Sequence, residues 1–286
     1  MLTIFCLCSM WTISTQAAGI SKLCNYTEKN LTFKRDITGD GKIDTIKLKL
    51  LKDRYHALDK VNIFINGKKS GSLDCNNSYG ISVNYISMSK KNVFLQIYSL
   101  GPNDYVEANS IFKYNKKTKK LDNVLDFQKV AGGGSMDAHD VTSVSGSQIK
   151  VFYTGQPCET GRIECTYTFV FKNGKFKLKS NTTSVKSLFT KYVVNDKYGK
   201  YLAKHQFVAE KNLNFYKNSN LSKVSFTAKK GDILTLKKIK IAGGKTYLQF
   251  KKGAKTGWVK VYNDYPSVYP DNEHGWFCGI LYRLAG

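Results

Sequence analysis

The sequence predicts an all-β protein: an antiparallel β meander, sandwich-like or partly propeller-like, followed by a second series of short strands. Three observations predict it. Short runs rich in β-branched and aromatic residues recur along the chain, several with period-two alternation, as in "TIKLKLL", "KVNIFING", "ISVNYISM", "NVFLQIYSL", "QIKVFYTG" and "TYLQFKKG". Asn66-Gly67 and Asn173-Gly174 carry the turn chemistry of two-residue hairpins. Aromatic residues make up 13% of the chain, with 18 Tyr and 16 Phe, which suits cross-strand pairing, and only 4 prolines leave no room for Pro-rich linkers.

Residues 1–18, MLTIFCLCSMWTISTQAA, carry no charge and centre on an apolar run from Leu2 to Ile13 followed by small residues. That is the pattern of a secretory signal without the usual leading Lys or Arg, and the run falls short of the ~20 residues that span a bilayer. Export without a stable membrane span is the expectation, with the chain secreted or associated with the cell wall. Neither Cys6 nor Cys8 follows a Leu-small-small triplet, so a lipoprotein is not the expectation.

Removing 18 of 286 residues leaves 268, enough for two modest domains, and leaves the charge untouched: 45 Lys and Arg against 21 Asp and Glu give +24. An exported cation of this size meets anionic wall polymers, acidic glycans and lipid headgroups rather than genomes, so nucleic acid is not an expected partner. Five cysteines remain after the signal. Cys158 and Cys165 flank a short connection and form one candidate disulfide; Cys24 and Cys75 form the other. No C-x-x-C with a His pair is present, which argues against zinc.

Two weak helix signals, "DRYHALDKV" from Asp53 and "SVKSLFTKYV" from Ser184, interrupt the strands. A domain boundary is expected near residue 195, separating 19–195 from 196–286.

After that boundary, Leu213, Phe215 and Tyr216, then Lys230-Gly231-Asp232, then Gly257-Trp258-Val259 follow in the order of a bacterial SH3-like domain, which the segment resembles. The resemblance implies a small barrel that binds peptidoglycan or peptide ligands, with Gly231 and Gly257 supplying turn conformations. Between Lys229 and Lys255 the sequence adds a run of lysines against one acid, Asp232. Lys238, Lys240 and Lys251 are therefore candidate contacts for an anionic wall polymer, with Tyr216, Tyr247, Trp258 and Tyr262 as a stacking surface. The same lysines serve equally as a solvated face around a core tryptophan. The apolar tail after residue 262 is expected to pack back on the barrel or on the first domain.

"DITGDGKIDTIKL" is similar to the acidic loops of integrin-type FG-GAP repeats and their bacterial relatives. The spacing points oxygens of Asp36, Thr38, Asp40 and Asp44 and the Lys42 carbonyl inward, a set suited to a structural calcium ion. Without metal, the same residues make an Asx-type turn. The whole arrangement resembles secreted proteins of clostridia and related Gram-positive bacteria, a resemblance that brings no established activity.

Catalysis finds little support. Ser135, Asp137, His139 and Asp140 cluster after three glycines, but no Gly-x-Ser-x-Gly elbow is present, and Cys278 beside His274 lacks an orienting third group. The sequence thus favours a non-enzymatic, wall-associated binding protein; a secreted hydrolase or inhibitor localised by the C-terminal segment is the alternative.

Overall fold

The computed structural model describes residues 18–101, 105–131, 136–155, 157, 159–189, 196–261 and 275–280. The expectations for Ser135, Cys158, Tyr262, His274 and all but the last residue of the signal lie outside them. The described chain is almost entirely antiparallel β-structure, as the sequence predicts.

Three sheets form it. An outer sheet joins β2 (Leu31–Arg35), β3 (Asp44–Lys52), β4 (Leu58–Ile65) and β5 (Lys68–Ser78) in sequence order. A central sheet runs β1 (Gly19–Thr27), β6 (Gly80–Ser89), β7 (Asn92–Leu100), β8 (Val106–Asn115) and β9 (Lys120–Asp126). The third begins with β10 (Met136–Ser145), β11 (Gln148–Gly155), β12 (Arg162–Lys172) and β14 (Thr182–Phe189), with β13 (Lys175–Leu178) paired to β12. It continues through β18 (Ile233–Ala242), β19 (Lys245–Lys252), β20 (Lys255–Lys260), β16 (Leu213–Tyr216) and β17 (Val224–Ala228), with β15 (Gln206–Val208) on β18.

Asn66 and Gly67 have φ of 49° and 79°, and Asn173 and Gly174 have 53° and 77°. Both central residues of each turn are left-handed, as the tight turn between β4 and β5 and that between β12 and β13 require. Both helix expectations fail. Asp53 closes a turn by accepting from the Tyr55 and Ala57 amides through Oδ1, and β4 starts at once. Ser184 lies in β14, where pairing to β12 and β18 overrides local propensity. Among the described residues the two helices lie elsewhere, α1 at Phe127–Ala131 and α2 at Asp196–Leu202. No helix among the described residues is long and apolar enough to cross a membrane.

The central sheet is buried on both faces. Ile81, Val83, Tyr85, Val93, Leu95 and Ile97 meet Ile46, Leu48, Val61 and Ile63 of the outer sheet. From the opposite face, Ile86, Phe94 and Ile111 join a second core with Val151, Tyr153, Tyr167 and Phe169. That second core is continuous with the C-terminal one, where Phe207, Phe215, Phe250 and Phe277 pack ring against ring. Phe277 also bridges to Ala209, so the described part of the tail does pack on the C-terminal strands.

The face of the central sheet toward β10 also carries three buried amides. Asn84 donates to Gln96 Oε1 at 2.9 Å, and Gln96 donates to Asn109 Oδ1 at 3.0 Å. They grip β10 where its register shifts between Ala138 and Val141. Gln96 Nε2 donates to the His139 carbonyl at 2.7 Å, Gln96 Oε1 accepts from the Val141 amide at 3.1 Å, and Asn109 donates to the Ala138 carbonyl at 2.8 Å. A bulge leaves backbone groups without ladder partners, and these side chains supply them.

The division expected near residue 195 falls between β14 and α2. Strand hydrogen bonds nevertheless join the two parts: Thr182, Thr183 and Ser184 of β14 pair with Lys240, Ile239 and Lys238 of β18. Gly257 is a correction. It is no turn residue but a buried position in β20, where a Cβ would lie 2.6 Å from Phe215 Cβ.

Two substitutions test this architecture. Gln96→Leu strands the His139 carbonyl, the Val141 amide and two neighbouring amides, and is expected to lower unfolding free energy by about 3 kcal/mol in urea titrations. Gly257→Ala is expected to cost about 2 kcal/mol through overpacking against Phe215, read in the same way.

Candidate functional site

Strand register decides which lysines and aromatics meet. Along β19, Leu248 and Phe250 point into the core, so Tyr247, Gln249 and Lys251 share the outer face. Trp258 pairs with Gln249 on one side and with Tyr216 on the other, and Gln249 pairs with Lys238. One row across the sheet therefore reads Lys238, Gln249, Trp258, Tyr216. The next reads Lys240, Tyr247, Lys260. Lys251 continues the face one step further, between Thr235 and Thr256.

Six of the seven candidate ligand-binding residues thus stand on a single sheet face: Tyr216, Tyr247, Trp258, Lys238, Lys240 and Lys251. Tyr262 lies outside the described residues. Trp258, Tyr247 and Tyr216 are half-buried, and Lys238 and Lys251 are exposed. Lys240 donates to Ser219 Oγ at 2.6 Å, which holds its ammonium over the sheet. The lone acid of the segment does not neutralise this face. Asp232 caps the Lys229 amide and pairs with Lys252, and these hydrogen bonds lower its pKa. Gln249 and Lys260 were not singled out from the sequence, although the alternation of "TYLQFKK" already puts Gln249 in phase with Tyr247 and Lys251.

The acidic loop is closed by its own carboxylates. Asp36 accepts from the amides of Gly39 at 2.7 Å, Asp40 at 3.2 Å and Gly41 at 2.8 Å. Asp44 accepts from Ile37 and Thr38 through Oδ2 and from the Asn66 side chain through Oδ1. Asp40 accepts from the Lys42 amide at 2.8 Å, the main cause of its lowered pKa. Thr38 lies 3.5 Å from Asp36 Oδ1. Lys116 donates to the Gly39 carbonyl, placing a cation against the loop. Among the described residues no three Asp, Glu, His or Cys side chains converge in a group able to hold a metal ion. Tyr85 of the central sheet donates to the Asp36 carbonyl at 2.9 Å and Ile37 is buried, so the loop clamps the outer sheet to the central one.

Asp137, His139 and Asp140 lie in β10. Asp140 accepts from Lys22 at 3.1 Å and from Asn84 at 2.8 Å, and His139 Nε2 lies 2.7 Å from Thr154 Oγ1. The bulge sends these side chains to structural partners. Burial pushes the Asp137 carboxyl up to about 6.

Cys24, Cys75 and Cys165 are free thiols, and Cys158 lies outside the described residues. Cys24 and Cys75 belong to one apolar cluster but to different sheets, and Cys165 is buried opposite Tyr153. Burial holds the Cys75 and Cys165 thiols up at about 12, so both stay protonated. Cys278 donates to Glu210 Oε2 at 2.7 Å, and its pKa is raised by burial and by that carboxylate.

Compared with protein-family models, with curated proteins and with solved structures, the chain matches none. What the molecule can bind therefore rests on its own surfaces. The C-terminal sheet face combines lysine ammonium groups with flat half-buried rings.

Asp137 supplies a pH test. Its folded pKa lies above the unfolded carboxyl value near 3.9, so the folded state loses stability as pH rises from about 4 to about 6. Asp137→Asn is expected to gain on the order of 1–2 kcal/mol at pH 7 and almost nothing at pH 4, measured by urea unfolding at both. Equal gains at the two pH values would show that desolvation of Asp137 is not the cause.

Proposed function

We propose that the chain is an exported, non-enzymatic protein that holds to the bacterial cell wall through the outer face of its C-terminal strands. The observation that carries this reading is the cross-strand alignment of Lys238 with Gln249, Trp258 and Tyr216, beside Lys240, Tyr247 and Lys260. Four strands form that surface from residues far apart in the chain. Lysines supply salt-sensitive attraction to phosphate or carboxylate polymers, and the rings supply a contact that salt does not screen. The order of strand, Lys-Gly-Asp turn and Gly-Trp-Val strand supports reading this part as a bacterial SH3-like barrel.

Calcium belongs to the same reading as a stabiliser of Asp36–Asp44, with an affinity of ~0.1 to 1 mM, the class of extracellular modules. The carboxylates already accept the loop's amides, so the ion would bind a preformed turn and add stability without changing its path.

Sedimentation of the full chain with purified peptidoglycan, with and without its teichoic acid, tests the wall reading. Retention is expected to fall roughly tenfold between ~0.05 M and ~0.5 M salt, and to fall further in Lys238→Ala/Lys240→Ala/Lys251→Ala. No retention at low salt on either preparation sinks the idea. For the loop, melting temperature is expected to rise in millimolar calcium for the parent chain and not for Asp40→Ala. A flat calcium response in both would leave only a self-capped turn.

A further inference from the structure

At the far end of the first two sheets, away from the acidic loop, the strand ends bring four tyrosines together. Tyr26 ends β1, Tyr55 sits in the turn between β3 and β4, Tyr79 joins β5 to β6, and Tyr105 leads into β8. Register places these points at one end. Leu58, the first residue of β4, pairs with Ser78, Gly80 pairs with Leu100, and Leu100 pairs with Val106. The Tyr79 amide donates to the Leu100 carbonyl at 2.7 Å and the Gly101 amide to the Tyr105 carbonyl at 2.8 Å, so Tyr79 and Tyr105 flank the same strand end.

All four rings are open to solvent, at 45% for Tyr26, 72% for Tyr55, 53% for Tyr79 and 56% for Tyr105. They are the only exposed tyrosines among the described residues, and no large aliphatic side chain is exposed beside them; Ile43, Val224 and Ile233 lie elsewhere. Tyr26 is laid against the backbone. A Cβ on Gly80 would lie 2.6 Å from its Cε2 and 2.7 Å from its Cζ, so only glycine lets the ring rest there. Its hydroxyl donates to Glu28 Oε1 at 3.2 Å, and Glu28 is tied to Lys52 at 3.6 Å. Asn76 and Asn77, both left-handed with φ of 50° and 59°, stand at the end of β5 beside Tyr79.

Charge sets this end apart. In a chain of net charge +24, Glu28, Asp53 and Glu107 here balance Lys29, Lys52 and Arg54 among the described residues. An anionic polymer gains nothing at such a surface. Exposed rings with amides and carboxylates, and no aliphatic centre, suit the apolar faces and hydroxyl rims of sugar rings. A protein partner would be expected to seek a desolvated apolar core, which is missing.

We propose that this end binds a neutral polysaccharide, with sugar rings stacked on Tyr79 and Tyr105. It is a second surface, independent of the lysine face. The full chain, passed over cellulose, chitin and starch in ~1 M salt, is isolated from its own charge because the Debye length shrinks to ~3 Å. Retention on at least one of the three is expected, reduced about tenfold in Tyr79→Ala/Tyr105→Ala and unchanged in Lys238→Ala/Lys240→Ala/Lys251→Ala. Both tyrosines are exposed, so circular dichroism of the double variant is expected to match the parent. Retention on none of the three polysaccharides overturns the proposal, as does equal retention of the parent and the tyrosine variant. Tyrosine-dependent capture of a protein in place of any polysaccharide overturns it too.

Discussion

Everything in this fold depends on how the polar face of the central sheet is satisfied. Asn84, Gln96 and Asn109 are buried on three adjacent strands; Gln96 and Asn109 bond to the backbone of β10 and Asn84 to its Asp140 side chain. A buried amide without partners costs more than a made hydrogen bond returns, so this face favours a strand with matching loose backbone groups. The irregular stretch of β10 at His139 and Asp140 is such a strand. Two layers become three because the bulge and the amides complete each other.

The other contacts extend that arrangement in both directions. On the outer side, the acidic loop folds its carboxylates onto its own amides and is pinned through the Asp36 carbonyl to Tyr85. The loop, which the sequence allows as a calcium site or as an Asx-type turn, thus joins two sheets through its own groups. On the other side, β14 carries hydrogen bonding from β12 into β18, so the cationic sheet face is held by the same sheet that covers the amides. Two surfaces with different chemistry result, a lysine and aromatic face near the C-terminus and a charge-balanced tyrosine end near the N-terminus.

Much of the architecture was legible in the chain. Asn66-Gly67 and Asn173-Gly174 announce hairpins because only residues tolerant of positive φ fit both turn positions, and the alternation of Tyr247, Gln249 and Lys251 announces one outer face. Other features were hidden for identifiable reasons. Met136–Ser145 is not among the strand-like runs of the sequence, because its polar residues break the period-two alternation, yet the amides of distant strands make it a strand. Gly257 reads as a turn glycine, whereas its cause is Phe215, a residue more than forty positions away. Cys24 and Cys75 come from different sheets yet share one apolar cluster, a meeting that counting cysteines does not reveal.

The sequence by itself determined the all-β class, the hairpin turns and the strong positive charge, because each of these is written in local residue chemistry. Tertiary structure alone decided which polar residues are buried, which lysines share a face with Trp258, and that four scattered tyrosines meet at one end. Those outcomes depend on register and on which strand covers which face, and strand pairing over long separations leaves no mark within any short window of sequence.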